Sequence, residues 1–185
     1  MVLPASGIAF LVYRTSGVAG QEVIRLHRDS LSGPVIDADT VLVNVQGLVQ
    51  LTSTGNVDTI GVTSTHPDSH WGTPELVADL RALADSLRAR FDKNLAPPSQ
   101  RFGSLLAVND MSLKWGGLFD HQATSRWQNP HAEHRTGKSA DVDVRRGSGD
   151  DYLDQAVLEV WYGLRRGNNH NPERQSLNHQ HLRVP

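Results

Sequence analysis

Ser139-Ala-Asp-Val-Asp-Val144 and His179-Gln-His-Leu-Arg-Val184 are the two stretches from which the fold is read. Both alternate in polarity, and successive side chains of a strand point to opposite faces. Ala140, Val142 and Val144 therefore take one face of the first strand, and Asp141 and Asp143 the other. In the second, Leu182 and Val184 face a core while His179 and His181 share the opposite face. If the two strands are neighbours, Asp141 and His181 meet at about the separation of two ligands of one metal ion. His134 precedes Gly137, a residue that lets the chain turn back toward the same place.

Working outward, Thr73 is a helix N-cap and Pro74 suits the first helical position. Leu76, Leu80, Leu83, Leu87 and Phe91 follow at steps of three and four, which predicts an amphipathic helix ending near Phe91, before Ala96-Pro-Pro-Ser99. Ser104–Val108 reads as a short buried strand. Asn109–Lys138 reads as a long loop, a length unusual unless the segment is functional. Asp151–Leu164 reads as a second amphipathic helix with Leu153, Val157, Val160, Trp161 and Leu164 inward. Residues 1–50 read as β, with runs at Ile8–Tyr13, Glu22–His27 and Thr40–Val45 broken by Gly, Ser, Pro and Asp. The expected fold is α+β: a small antiparallel sheet with helices packed on one face and a zinc cleft at its centre, spanning 51–185. A short β segment, 1–50, precedes it and resembles the end of an immunoglobulin-like repeat.

With 185 residues, 38% hydrophobic and 21% charged, the chain is long enough to bury a core. A net charge of −2 offers no basic footprint for nucleic acid. No apolar run is long enough for a membrane-spanning helix. There is no cysteine, so disulfides, thiol nucleophiles and thiolate metal sites are excluded, and any metal must be held by nitrogen and oxygen. Of nine histidines, five lie in 131–181. No basic leader precedes the apolar residues 7–13; the chain reads as a fragment of a longer exported protein.

Three blocks occur in order: Asn109-Asp-Met-Ser-Leu-Lys-Trp-Gly-Gly-Leu-Phe119, Pro130-His-Ala-Glu-His-Arg-Thr-Gly-Lys-Ser-Ala-Asp-Val-Asp143 and Asn178-His-Gln-His-Leu-Arg-Val184. Together they resemble the penicillin-insensitive murein endopeptidases, a family grouped with lysostaphin-type endopeptidases, D-Ala-D-Ala peptidases and the hedgehog signalling domain. The resemblance covers roughly residues 100–185. It implies that His134, Asp141 and His181 bind zinc, and that His179 stands beside the metal as a proton shuttle or oxyanion stabiliser. His131 matches the first of the family's paired histidines and is the second catalytic candidate. Asp143 is a candidate for orienting a ligand histidine, Arg183 for rimming the cleft, and Asp110 and Ser112 for contacting substrate or bracing the site.

Two positions depart from the pattern. The endopeptidases carry a further His where this chain has Ser176, and the D-Ala-D-Ala peptidases carry a Glu base where it has Asn178. Glu133, Glu173 and His170 are the other groups available as a base. The expectation is a zinc metallopeptidase of endopeptidase or carboxypeptidase type, acting on peptidoglycan peptides in an extracellular or periplasmic setting. The alternatives are a zinc-bearing binding module without turnover and an adhesin fragment led by residues 1–50. His66-Pro-Asp-Ser-His-Trp-Gly72 is expected to be a polar turn, and His27 and His121 surface residues. Trp71, Trp115 and Trp127 either wall a substrate groove or pack loops.

Overall fold

The computed structural model describes residues 19–28, 30–62, 68–90, 106–117, 131–143 and 179–185, with Val12, Arg14 and helical residues at 156–157, 159–161 and 163–164. Only the backbone is described for residues 131–133 and for His179. Of the expected strand at Ile8–Tyr13 only Val12 is in this set, exposed and not assigned to a strand; Leu153, Trp127, His121, His66, Glu173, His170, Ser176 and Asn178 lie outside it.

The architecture is mixed α and β, with small sheets. Strands β1 (Gly20–His27) and β2 (Val35–Val43) form an antiparallel ribbon. His27 is half-buried and its ring Nδ1 meets the Gly33 carbonyl at 2.8 Å, so it closes the ribbon's turn instead of lying free on the surface. β3 (Val49–Gln50) pairs with β5 (Trp71–Gly72). Residues 45–51 are tied to more C-terminal parts of the chain: the Val45 amide donates to the Trp115 carbonyl and the Leu51 amide to that of His70.

The main sheet has the order β4-β6-β7-β8, with β4 at Val57–Thr59, β6 at Leu106–Asp110, β7 at Ser139–Asp143 and β8 at His179–Arg183. It is not the wholly antiparallel sheet expected from the sequence. β4 runs parallel to β6, because the connection between them crosses over through helix α1 (Pro74–Arg90). β4 has only three residues, too few for a periodic signal. β6–β7 and β7–β8 are antiparallel.

α1 begins as its sequence dictates: the Leu76 amide donates to Thr73 Oγ1 at 3.2 Å, and Pro74 has no amide proton to leave unsatisfied. Leu76, Leu80, Leu83 and Leu87 are buried in one cluster with Val108, Ala140, Val142 and Leu182 of the sheet. Ala156, Val157 and Trp161 of the later helical residues join that cluster, with Val160 partly buried against it. Leu164 does not: it is 37% exposed, at the end of the apolar stripe. One face of β6–β7–β8 thus carries the core and the other is left for polar chemistry.

Two expectations change in the connecting segments. Asn109–Lys138 contains regular structure: Ser112 makes an antiparallel bridge with Trp71, and His131–Thr136 form a 3-10 helix. Nor is His70 part of a solvated turn. It is buried, with its Nε2–H donating to the Val108 carbonyl at 3.0 Å and its Nδ1 against Ser69 Oγ at 2.8 Å. It is the one non-glycine residue with positive φ among those described, at 66°, a conformation that polar residues tolerate when side-chain bonds hold it.

Candidate metal centre

The β7–β8 register puts Asp141 directly opposite His181. The Val184 amide donates to the Lys138 carbonyl at 2.9 Å. Hydrogen-bonded pairs alternate along an antiparallel ladder. Leu182–Ala140 and Gln180–Val142 are therefore hydrogen-bonded pairs, and His181–Asp141 is a non-hydrogen-bonded one, where side chains stand closest. The result is a 2.6 Å bond from His181 Nδ1 to Asp141 Oδ1. His134 comes from the 3-10 helix on the other side of Asp141, its Nε2 3.4 Å from Asp141 Oδ2. The two imidazole centroids are 5.0 Å apart, with planes inclined at 67°.

These three residues are the group among the described residues able to hold a metal ion, with one donor atom from each lying within 4.8 Å of the others. A tetrahedral ion with bonds of 2.0–2.1 Å separates its ligands by about 3.4 Å. His134 and Asp141 already stand at that distance. His181 and Asp141 are at proton-sharing distance and would part by less than about 1 Å to admit a cation. All three are buried, at 2% exposure for His134, 6% for Asp141 and 1% for His181.

The surroundings of His134 fit a ligand. Its Nδ1 faces the Ser139 carbonyl at 3.2 Å and Ser139 Oγ at 3.3 Å. A ring proton on Nδ1 leaves the Nε2 lone pair turned to the Asp141 carboxylate, an arrangement that requires a proton or a cation between them. Donation of the second ring nitrogen to a carbonyl is the usual support of a metal-binding histidine. Burial opposes the imidazolium of His134. The hydrogen bond and charge of Asp141, the Ser139 carbonyl and the charge of Asp110 outweigh it, and the pKa is raised. Burial likewise opposes the Asp141 carboxylate, but the hydrogen bonds and charges of His134 and His181 hold its pKa well below the usual range.

Glycines clamp the loop that delivers His134. Gly137 has φ +70°; its amide donates to the His134 carbonyl and its own carbonyl accepts from the Thr73 amide at 2.7 Å. The Gly117 amide donates to the Arg135 carbonyl. Gly116, also at φ +70°, lies so close that a Cβ would stand 2.5 Å from a Val45 methyl and 2.8 Å from the Arg135 oxygen. The sequence offers Gly116 and Gly117 only as a motif; their packing on the His134 helix appears in the fold.

Of the other candidates, Asp143 pairs with His179 one rung beyond the triad. His131 opens the 3-10 helix, one turn before His134. Asp110 lies opposite Asp141 on β6 because a bulge after Val108 shifts the register, so Val108 faces the core and Asp110 the site. Sequence alternation alone would put Asp110 on the core side. Ser112 is buried at the bridge to Trp71, a bracing position. Trp115 is partly exposed and packs beside Gly20 of β1. Compared with protein-family models and with curated proteins, the chain matches none.

Gly116→Ala should weaken metal binding by about 10- to 100-fold, the usual effect of disturbing what supports a ligand. Gly55→Ala, where a Cβ meets open space, should leave it unchanged. Competition with a chelating dye measures both, and equal affinities would contradict the clamp. Metal affinity should also rise with pH, because a metal needs the neutral His134 imidazole and the raised pKa keeps a proton competing to higher pH. Titrations between about pH 5.5 and 8.5 should show this; a flat profile would contradict it.

Proposed function

We propose that the chain is a zinc-dependent hydrolase that cleaves amide bonds in peptidoglycan peptides. The observation that carries this reading is the buried His134–Asp141–His181 group, with its donor atoms turned toward one another. Two imidazoles and a carboxylate, with no thiolate in the chain, are a donor set that zinc accepts. Three protein ligands leave a tetrahedral ion one open position, which distinguishes catalytic from structural sites. The ordered likeness of the three sequence blocks to the murein endopeptidases supplies the substrate class and, with it, an extracellular or periplasmic location. No helix among the described residues is long and apolar enough to cross a membrane.

His134, Asp141 and His181 would hold the zinc, which would supply Lewis acidity toward a bound water and the scissile carbonyl. The protein's share is to hold that chemistry in place. Asp141 bridges the two imidazoles, Ser139 fixes the tautomer of His134, and the β7–β8 ladder sets the position of His181. His179 lies two residues from His181 on β8. We assign it the proton that passes from the attacking water to the leaving amine, or the oxyanion if the ring is cationic. His131 is the second such candidate.

Ser176 and Asn178 stand where related peptidases carry a catalytic histidine or glutamate, and this favours one second reading: a zinc-bearing module that binds cell-wall peptides without turnover. Digestion of purified peptidoglycan with and without a chelator separates the two.

Purified wild type should carry about one zinc per chain by mass spectrometry, and should release soluble muropeptides. His134→Ala and His181→Ala should lose both metal and activity. His179→Ala should keep the metal and lose activity, and a fully active His179→Ala would remove it from the mechanism.

A further inference from the structure

We propose that the indole of Trp71 and the hydroxyl of Ser112 form a subsite for a neutral amide carbonyl of the substrate, about two or three residues from the scissile bond. The site then takes an extended peptide in preference to a dipeptide. The inference rests on the hydrolase reading and adds a length requirement to its substrate. Trp71 and Ser112 exchange both backbone hydrogen bonds, at 2.9 and 3.1 Å, so they are directly opposed and their side chains share a face. Gln50, the β3 partner of Trp71, shares that face.

This is the face that carries the metal group. Met111, between Asp110 and Ser112, is buried in the core, so its two neighbours point the other way. Leu51 is in the core as well, which turns Gln50 away from it. A Cβ on Gly72 would stand 2.7 Å from the Met111 methyl and 3.1 Å from a Leu76 methyl, so Gly72 faces the core and Trp71 the polar side. Asp110 lies opposite Asp141, and the Thr73 amide holds β5 to the His134 loop by its 2.7 Å bond to the Gly137 carbonyl. The polar face thus runs from the triad past Asp110 to Ser112, Trp71 and Gln50.

Two donors wait there unused. Ser112 is fully buried and Trp71 half-buried. Ser112 Oγ and Trp71 Nε1 are both shielded from solvent and neither has a hydrogen-bond partner. Groups left in this way oppose folding, and a ligand that pairs them recovers the loss. An indole N–H only donates, a hydroxyl can donate, and a carbonyl oxygen has two lone pairs to accept from both. None of Gln50, Trp71 and Ser112 is charged, and Asp110 stands next along the chain, so a neutral amide fits here and a carboxylate does not. Rotation of the Ser112 hydroxyl and the half-buried indole between staggered positions turns both donors to the cleft. Ser112 lies about 7 Å along the chain from Asp110, and Asp141 about 5 Å across from it. The diagonal, about 8–9 Å, spans roughly two to three residues of extended peptide.

The test is calorimetric binding of acetyl-pentaalanine amide and acetyl-dialanine amide, each in all-L and all-D form, to the zinc-loaded full chain. Wild type, Trp71→Phe and Ser112→Ala are compared, with zinc content, melting temperature and peptide cleavage measured for each. Wild type should bind the longer peptide of one hand about 10-fold more tightly than the shorter. Each variant should keep its zinc, bind the shorter peptide as wild type does, and lose about 3- to 10-fold on the longer one. Ser112→Ala should melt no lower than wild type, since it removes a hydroxyl that bonds to nothing. A merely structural hydroxyl would instead lower the melting temperature and leave the length preference intact. Should Trp71→Phe fail to hold zinc, Ser112→Ala decides the matter. Equal or unmeasurable binding of both lengths by wild type, or a preference undiminished in Ser112→Ala, overturns the subsite. Preferential binding of the longer peptide without cleavage sinks the hydrolase reading and leaves the subsite standing; cleavage of both lengths alike does the reverse.

Discussion

The close contact of Asp141 and His181 across a non-hydrogen-bonded position of the β7–β8 ladder is the constraint on which the rest of this structure depends. A slip of one residue would turn Ala140 and Val142 toward the polar face and bury Asp141 in the core. What forbids the slip is the other face of the same strands. Val142 and Leu182 are fully buried with the leucines of α1 and with Trp161. Hydrophobic packing thus sets the register, and the register sets the chemistry.

The cluster is unfavourable for folding on its own terms. Three titratable groups are taken out of water, and removing one partner of such a buried set typically costs about 3–5 kcal/mol. Protons hold it together without metal, as the opposed shifts of His134 and Asp141 record. A divalent cation can take the place of those protons and satisfy the carboxylate and both imidazoles at once. Pre-placement of the donors by a strand pair and a clamped 3-10 helix limits the ordering that binding requires.

Much of this was legible in the sequence, for physical reasons that differ by element. Alternation over Ser139–Asp143 and His179–Arg183 predicts both strands and the faces of Asp141 and His181, since a period of two is unambiguous when one face is apolar. Thr73-Pro74 and the leucine spacing predict α1 from its first residue, Pro74, and its buried leucine face. The rest depends on contacts distant in sequence. β4 is too short to show a pattern, and its parallel pairing with β6 follows from the helix between them. The bulge that turns Asp110 to the site breaks the very periodicity used to read a strand. His70 looks polar and solvated beside Ser69 and Asp68, yet the carbonyl of Val108 buries it. The packing of Gly116 and Gly117 on the His134 helix is likewise invisible until the chain is folded.

X-ray absorption on the zinc-loaded protein tests the central claim most directly. The account predicts a shell of nitrogen and oxygen neighbours at about 2.0–2.1 Å, with imidazole scattering from two rings and no sulfur. Four-coordinate zinc with two imidazoles would place the ion between His134, Asp141 and His181. A six-oxygen shell, or a spectrum unchanged when Asp141 and His181 are both replaced by alanine, would contradict it.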